Sequence, residues 1–236
     1  MSSTPLALRS QDFLAFLDGW MAALGALPLA NVLAYPEKTA ILSIDVIQGF
    51  CTAGPLASPR VGAIVAPIVR LFQAAWAGGV RQIGLIQEWH EPDAVEFGAW
   101  PPHCVRGTAE AEAVAEIQAL PFYSQMARFT KNSIEPFLNT GLSGWLESHP
   151  ELDTFVAVGD CTDLCTYQLA MHLRLEANAR QRQRRVIVPV NCTDTYDRSV
   201  AVAAGQGGLP HDADLMHAVF LYHMALNGIE VVSQLV

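Results

Sequence analysis

Cys165 is the residue of this sequence that is best placed to act as a nucleophile. It follows a run of β-branched and aromatic residues, 155–158, which predicts a buried strand that ends at Gly159. Apolar spacing beyond it predicts a helix that begins near Cys165, with Thr162 or Asp163 as its N-cap. Unpaired N–H groups at such a helix start favour a thiolate and stabilise a nearby oxyanion. The alternative is that this cysteine is a small apolar core residue.

Charged residues at the ends of three other predicted strands favour the nucleophile. Residues 39–45 form an apolar run that ends in Asp45, residues 127–131 end in Lys131, and Glu88 follows a further strand. Because the carboxyl ends of parallel strands share one edge of a sheet, we expect these groups to converge. Each alone has an ordinary interpretation as a turn, cap or solvated residue. Together they supply the base and the cation that a thiol needs for amide hydrolysis.

Glu88, His90 and His103 form a second candidate site. In an extended chain the side chains of residues i and i+2 point the same way, so Glu88 and His90 can bind one ion. His103 can return from the following loop as a third ligand. Two histidines and one carboxylate leave positions open, which is typical of catalytic zinc or iron(II). The alternatives are that these histidines only hydrogen-bond and that the adjacent Cys104 is a packed thiol rather than a soft ligand.

The composition predicts a globular α/β protein. The chain has 236 residues with 51% apolar and 16% charged, which is enough for a sizeable core and leaves little for disordered tails. Its net charge of −9 argues against a nucleic-acid surface. The one basic cluster, residues 180–185, is interpreted as a solvated helix end. Five cysteines without a CxxC pair predict reduced thiols and a cytoplasmic location.

The order of predicted elements indicates a three-layer α/β/α sandwich with a mainly parallel central sheet. Strands are predicted over residues 39–45, 81–87, 127–131, 155–158, 186–190 and 229–232, and helices over 62–77, 109–120, 141–148, 165 onwards and 211–227. Residues 1–36 are interpreted as an N-terminal extension, with a polar leader and an amphipathic helix that packs on the main domain, 37–236, or on a second subunit. We expect a homo-oligomer. The apolar stretch 19–30 is too short to span a bilayer, so no membrane association is expected.

Five ordered blocks of sequence resemble one known family. They are DVIQGFC at 45–51, EWHEPD at 88–93, WPPHCVRGT at 100–108, Lys131 with Phe137, Thr140 and Leu142, and GDCTDLC at 159–165. From about residue 39 to 235 the chain thereby resembles the nicotinamidase/isochorismatase-like cysteine hydrolases. The WPxHCVxGT block is specific to the metal-binding nicotinamidase branch. The resemblance implies the isochorismatase-like fold for residues 37–236.

The resemblance also implies roles for individual residues. Asp45, Lys131 and Cys165 correspond to the catalytic triad, in which Lys131 is expected to lower the pKa of the thiol. The peptide bond between Asp160 and Cys161 falls where the family has a cis bond, and the N–H groups of Cys161 and Cys165 correspond to the oxyanion hole.

The implied substrate site lies beside a metal ion. Phe50 and Trp100 match positions that wall the ring of the substrate, although either aromatic residue could equally belong to the core. The metal ligands are Glu88, His90 and His103, with zinc expected and iron or manganese as alternatives. The implied activity is hydrolysis of a small amide, nicotinamide first, through a thioester on the cysteine, with the metal positioning the substrate.

Three departures from the family pattern leave the substrate open. Glu88 stands where nicotinamidases have aspartate, Glu91 replaces a proline and adds negative charge, and Leu164 replaces a frequent tyrosine. Another small amide or a carbamoyl compound is therefore an alternative substrate. An isochorismatase-type vinyl-ether hydrolase is disfavoured, because that reaction needs no thiol. From other classes, a non-enzymatic metal- or ligand-binding relative stays open, as does a thiol redox sensor with Cys161 as its resolving partner.

Overall fold

The fold is built on a parallel β-sheet that runs through the middle of the molecule. In the computed structural model, which describes residues 4–236, seven strands form this sheet. They are β1 (Thr39–Ile44), β2 (Gln82–Glu88), β3 (Ala127–Lys131), β4 (Thr154–Asp160), β5 (Arg185–Pro189), β6 (Thr193–Asp194) and β7 (Glu230–Val232). Six strands lie in the order β3-β2-β1-β4-β5-β7, and β6 pairs with the end of β4. Every pairing is parallel, so the carboxyl ends of the strands lie along one edge.

Helices cover both faces of the sheet. They are α1 (Leu6–Arg9), α2 (Gln11–Ala22), α3 (Leu29–Val32), α4 (Gln48–Cys51), α5 (Pro59–Ala63), α6 (Val65–Ala77), α7 (Ala115–Gln118), α8 (Leu142–Ser148), α9 (Cys165–Ala179), α10 (Val200–Gln206) and α11 (Ala213–Leu226). Short 3₁₀ segments lie at Pro36–Lys38, Val95–Gly98, Ala109–Ala111, Tyr123–Gln125 and Val190–Cys192.

The alternation of side chains along the central strands produces two separate cores. On β4, Val156 and Val158 face a core that includes Ile68 and Phe72 of α6. Phe155 and Ala157 face the opposite core, together with residues of α8, α9 and α11. Each strand side chain therefore packs against one helical layer or the other. The predicted three-layer α/β/α sandwich with a parallel sheet is confirmed.

The longest apolar helical stretch belongs to this core. Residues Pro59–Ala77 are long and apolar enough to cross a membrane by length and composition alone, and they form the one such stretch among residues 4–236. Within it, α6 buries Ile68, Phe72 and Ala75 completely against the sheet. This is the pattern of a core helix covering a parallel sheet.

The N-terminal extension packs on the last helix of the chain. Phe13, Phe16 and Trp20 of α2 surround the ring of Tyr222, with ring centroids 5.3–5.6 Å apart. Beyond α2, Leu27 pairs with Leu235 next to β7. The predicted amphipathic helix is thus present and packs on the main domain. Residues 1–3 of the predicted polar leader lie outside the described residues, and the division into 1–36 and 37–236 and the homo-oligomer stay predictions.

One predicted helix is wrong, and several short elements were not predicted. Residues 109–120 form a 3₁₀ turn, Ala109–Ala111, and the single turn α7 rather than one helix, because Val114 between them is extended and Ala113 bridges to Ile47. The helix α10, Val200–Gln206, was not predicted, since its sequence lacks a clear apolar stripe. The six predicted strands all lie within two residues of their predicted bounds, and the two-residue strand β6 was not predicted.

The basic cluster is not uniformly solvated, contrary to the prediction. Helix α9 ends at Ala179, and Arg182 beyond it is exposed as expected. Arg184, however, is buried, with its guanidinium 5.0 Å from the ring centroid of Phe155 and bonded to Glu176 at 2.6 Å. This arginine therefore packs at the edge of the core that contains Phe155, instead of facing solvent.

Candidate active site

Lys131 lies at the centre of the predicted cluster of charged groups. Its Nζ is 2.7 Å from Oδ2 of Asp45, 2.8 Å from Oε1 of Glu88 and 3.4 Å from Sγ of Cys165. The three partners come from the ends of β1 and β2 and from the start of α9, and Lys131 ends β3. All four side chains are buried. The predicted convergence of strand ends at one edge of the sheet is confirmed, while the chemical roles of these residues stay predictions.

Asp45 is held in place by the neighbouring strand. The residue has a φ of 58°, a left-handed conformation that is uncommon outside glycine, and its Oδ1 accepts a hydrogen bond from the Glu88 N–H at 2.9 Å. Burial raises the pKa of this carboxyl to about 6, against the opposing effect of Lys131 and with a further increase from Glu88. At neutral pH the group is therefore still ionised and able to accept a proton.

Cys165 is the first residue of α9, as predicted, but its surroundings differ from the prediction in two ways. Thr162 and Asp163 do not cap the helix, because their side chains bond to His217 and to Thr195 and His211 instead. Burial raises the pKa of the Cys165 thiol well above its usual range. Lys131 acts to lower it, as expected, but Asp45 and Glu88 oppose that effect. The resting sulfur therefore keeps its proton, and a base is needed to remove it.

The loop before Cys165 leaves two backbone donors without a partner in the part of the chain that the structure describes. The Asp160–Cys161 bond is cis, as the family resemblance implies. Gly159 has a φ of 122°, and a side chain there would collide with the carbonyl of Ile44. Within residues 4–236 the N–H of Cys161 has no backbone acceptor, and that of Cys165, as the first helical residue, has no intrahelical one. Both predicted oxyanion-hole donors are thus unpaired.

Glu88 connects this cluster to the predicted metal ligands. Its second oxygen, Oε2, lies 3.2 Å from Nε2 of His90 and 2.9 Å from Nε2 of His103. All three side chains are buried. Asn132 and the carbonyl of Pro101 bind the other ring nitrogens, at 2.6 and 2.8 Å. Outer partners of this kind orient ligating histidines, so these residues fit a metal ion.

Glu96 is a fourth group that the sequence analysis missed. It belongs to the 3₁₀ turn Val95–Gly98, and one of its carboxylate oxygens lies within 4.8 Å of ligand atoms of Glu88, His90 and His103. Burial and the charge of Glu88 raise the pKa of this half-buried carboxyl. The available signal was the group of three acids between the two histidines, Glu91, Asp93 and Glu96, but the sequence does not distinguish which of them approaches the site. Two carboxylates and two imidazoles form a donor set suited to a divalent transition metal.

The two predicted ring-wall residues contact different rings. Phe50 contacts His103, with ring centroids 5.7 Å apart. Phe97, which was not predicted, contacts both His90 and His103. The ring contact of Trp100 is instead with Tyr196, at 6.2 Å. The structure therefore brings Phe50 to the histidines and places Trp100 against a residue from the far end of the chain.

Sequence comparison identifies the family to which this arrangement belongs. The isochorismatase domain family matches residues 39–209, which contain every strand-end residue described above. The chain belongs to the isochorismatase family. It is accordingly a hydrolase of the nicotinamidase/isochorismatase type that acts on a small molecule. Nicotinamidase 1 of Arabidopsis thaliana is 26% identical over 221 residues, which cover 86% of this chain and 89% of that relative.

Solved structures share the fold at low sequence identity. A cysteine hydrolase from Pseudomonas syringae pv. phaseolicola has a TM-score of 0.69 and 21% identity, over 89% of this chain and 92% of its own. A pyrazinamidase of Pyrococcus horikoshii in complex with zinc has a TM-score of 0.64 and 19% identity, over 83% and 98%. These likenesses establish the isochorismatase-like hydrolase fold.

Proposed function

We propose that the chain is a cysteine amidohydrolase that cleaves a small amide, with nicotinamide as the first candidate substrate. The observation that carries this proposal is the contact of one lysine, Lys131, with a carboxylate and a thiol at 2.7 and 3.4 Å. A thiol redox sensor has no use for a buried base and cation beside its sulfur. The similarity to nicotinamidases from Arabidopsis thaliana and Escherichia coli supports the choice of substrate.

The first step forms a thioester. Asp45 accepts the Cys165 proton as the sulfur attacks the carbonyl carbon of the amide, which forms a tetrahedral intermediate. The N–H groups of Cys161 and Cys165 stabilise the negative oxygen. The intermediate then collapses, its C–N bond breaks, and Asp45 returns the proton to the departing ammonia. The acyl group stays on Cys165.

The second step releases the acid. Asp45 takes a proton from water, whose oxygen attacks the thioester carbon. The C–S bond breaks, the carboxylic acid leaves, and the proton on Asp45 restores the Cys165 thiol. Lys131 stays protonated throughout, because burial, which lowers the pKa of the amine, is outweighed by Asp45, Cys165 and Glu88, which raise it. It thereby keeps Asp45 oriented between the two proton transfers.

Metal binding has a positioning role in this proposal. Glu88, His90, His103 and Glu96 are the residues that would hold the ion. Bound there, it would polarise a ring nitrogen or a water bonded to one, and thereby orient the substrate. Zinc is proposed first, with iron or manganese as alternatives, and the zinc-bound pyrazinamidase of Pyrococcus horikoshii supports that choice.

The substrate itself is the part that needs a direct experiment. Purified protein is incubated with a panel of small amides and carbamoyl compounds, including nicotinamide, and ammonia release is measured. We expect release from nicotinamide, with the matching acid as the other product. Release from a carbamoyl compound alone would replace nicotinamide, and no release from any amide would contradict the proposal. Glu91, whose charge departs from the family pattern, pairs on the surface with Arg106 at 2.7 Å.

A further inference from the structure

Asp163 lies midway between the two predicted oxyanion donors. It is two residues after Cys161 and two before Cys165, in a segment, residues 161–165, that we call the oxyanion loop. The carbonyl of Cys161 accepts a hydrogen bond from the N–H of Thr166 at 3.1 Å, so the loop is a closed turn. Because this turn carries both donors, a contact that fixes Asp163 also restrains them.

The side chain of Asp163 bonds through both of its oxygens to distant parts of the chain. Oδ1 accepts a hydrogen bond from Oγ1 of Thr195 at 2.6 Å, and Oδ2 lies 2.8 Å from Nε2 of His211. The side chain of Thr195 also forms a hydrogen-bond contact with the Cys161 thiol. Side-chain exposure is 2% for Asp163 and 10% for His211. Because a buried carboxyl that loses its partners destabilises the fold, these contacts restrain the loop strongly.

His211 is itself fixed by the segment that it contacts. Its Nδ1 lies 2.8 Å from the carbonyl oxygen of Tyr196, and its ring stacks on that of Tyr196 at 4.0 Å and 16°. The backbone of His211 pairs with that of Arg198 through two hydrogen bonds, each of 2.8 Å. The histidine therefore connects Asp163 to residues 195–198, and it cannot move without displacing that segment.

The backbone holds the same segment beside the oxyanion loop. β6 pairs with the end of β4, where Asp194 is opposite Asp160, and the N–H of Thr162 donates to the carbonyl of Asp194 at 3.0 Å. The bonds of Asp163 extend this attachment to the middle of the loop. The reaction steps proposed above use the N–H groups on either side of Asp163 and give its carboxyl no chemical role.

We propose that Asp163 is the positioning residue of the oxyanion loop, held there by Thr195 and His211. Its bonds keep the N–H groups of Cys161 and Cys165 directed at one oxygen atom. The proposal rests on the proposed amidohydrolase function and adds residues that act through the loop rather than on the substrate. A misplacement of about 1 Å in such a site costs about 10²-fold in rate. Oxyanion donors bind the transition state more strongly than the amide, so the loss should appear in kcat rather than in KM.

Substitutions that keep the shape of the side chains test this role. Asp163→Asn turns one of the two acceptors into a donor, and Thr195→Val removes the hydroxyl. We expect each to lower kcat for nicotinamide about tenfold or more, with KM within about threefold of wild type. Thr195→Ser, which retains the hydroxyl, should keep most of the activity. An unchanged kcat in the first two variants, or a loss confined to KM, would overturn the proposal.

Alkylation of Cys165 by iodoacetamide separates the oxyanion loop from the nucleophile. An S–C bond forms as iodide leaves, the thiol proton passes to Asp45, and no oxyanion develops. The rate should therefore be the same in Asp163→Asn and in wild type, and an equal rate also shows that the variant is folded around its active site. A rate that falls as far as kcat would mean that Asp163 acts on the thiol, which would contradict the assignment.

A second variant tests His211. His211→Phe keeps a ring to stack on Tyr196 and removes both ring nitrogens, so it should lower kcat in the same direction as Asp163→Asn. Because both changes break one contact, the double variant should be at most about twofold slower than Asp163→Asn alone. Fully additive losses would show that the two residues act separately and would refute the coupling.

Two matched controls separate this contact from general effects of the same substitutions. Asp153→Asn changes an aspartate that bonds to Thr154 at the opposite end of β4, and His223→Phe removes a histidine that bonds to Tyr167. Both should keep the kcat of wild type. Losses as large as those of Asp163→Asn and His211→Phe would count against a specific role.

Aldehyde binding distinguishes this proposal from the proposed function, because it needs no turnover. The Cys165 thiol adds to the carbonyl carbon of pyridine-3-carbaldehyde, its proton passes to Asp45, and the aldehyde oxygen becomes the negative oxygen that the loop would bind. Calorimetry measures this affinity, with Cys165→Ala as the blank. We expect Asp163→Asn to weaken it about tenfold.

The outcomes differ for the two proposals. Weaker aldehyde binding in Asp163→Asn, without ammonia release from any amide by wild type, would support the positioning role and contradict the hydrolase proposal. Ammonia release by wild type, with unchanged kcat and aldehyde affinity in Asp163→Asn, would do the reverse. Absence of both turnover and Cys165-dependent aldehyde binding would overturn both.

Discussion

Oε1 of Glu88 accepts a hydrogen bond from Nζ of Lys131 at 2.8 Å, and Oε2 of the same carboxylate lies 2.9 Å from Nε2 of His103. One side chain therefore touches both the predicted triad and the predicted metal ligands. Burial alone would raise the pKa of Glu88, yet Lys131 and the two histidines hold it well below its usual range. The group is an anion that both sites share. Metal affinity and the position of Lys131 are consequently expected to depend on the same residue.

The first prediction concerns the metal. The protein should bind one transition-metal ion per chain, and His90→Ala and His103→Ala should each lose it, because each removes one of only two imidazoles in the donor set. Elemental analysis after dialysis measures this directly. Cys165 should stay alkylatable in both variants, since the metal positions substrate and does not form the thioester. A chelator should raise KM at least as much as it lowers kcat. Metal-free wild type with full activity would contradict the assignment.

The second prediction separates the two cysteines of the active-site loop. Cys165→Ala should abolish ammonia release and leave the melting temperature nearly unchanged, because only the sulfur forms the acyl bond. Cys161→Ala is the matched control: it removes the neighbouring thiol, and the proposed mechanism uses only the backbone N–H of residue 161. It should therefore retain activity. An active Cys165→Ala together with an inactive Cys161→Ala would reverse the assignment.

The third prediction concerns the base. Because burial raises the pKa of Asp45 to about 6, the ionised form that accepts the thiol proton is lost as the pH falls through that value. Activity should therefore decline below about pH 6. Asp45→Asn keeps the shape and removes the base, so kcat/KM should fall about 10²–10⁴-fold and lose this acid limb. If the variant kept the same limb, another group would be responsible for it.

The convergence of the active site could be predicted because a parallel sheet leaves little freedom. Once residues 39–45, 127–131 and 155–158 are recognised as strands, their carboxyl ends must lie along one edge. The spacing of Glu88 and His90 likewise fixes their orientation without any tertiary information. These features depend on local pattern and on one rule of topology.

The features that could not be predicted depend on contacts between distant segments. Thr162 and Asp163 have the composition of N-caps, but bonds to residues 195–217 take their side chains away from the helix. The thiol pKa was expected to fall because Lys131 is near, and the cost of complete burial cannot be read from sequence. The contact of Trp100 with Tyr196 carries no local signal either, since the two residues are almost one hundred positions apart.

The last prediction follows from the buried member of the basic cluster. Arg184 donates hydrogen bonds to the carbonyl of Leu173 at 3.1 Å and to Glu176 at 2.6 Å, and it lies over Phe155. Arg184→Ala should lower the free energy of unfolding by about 2–4 kcal/mol, because it leaves the buried carbonyl of Leu173 without its donor and removes one of the two arginines, Arg184 and Arg180, that pair with Glu176. Urea denaturation measures the loss. Arg184→Lys, which keeps the charge without the planar fork, should give an intermediate value.

Arg182 provides the matched control, because it is exposed and its side chain makes no ion pair within residues 4–236. Arg182→Ala should change the free energy of unfolding by at most about 0.5 kcal/mol.

Burial acts to raise the pKa of Glu176, but Arg184 and Arg180 hold it lower than the ordinary 4.5. A carboxylate with a lowered pKa stabilises the fold above its unfolded pKa and loses that contribution as the pH falls. The difference between Arg184→Ala and wild type should therefore shrink below pH 4.5. Equal effects of the two alanine substitutions would mean that the cluster is a solvated helix end after all.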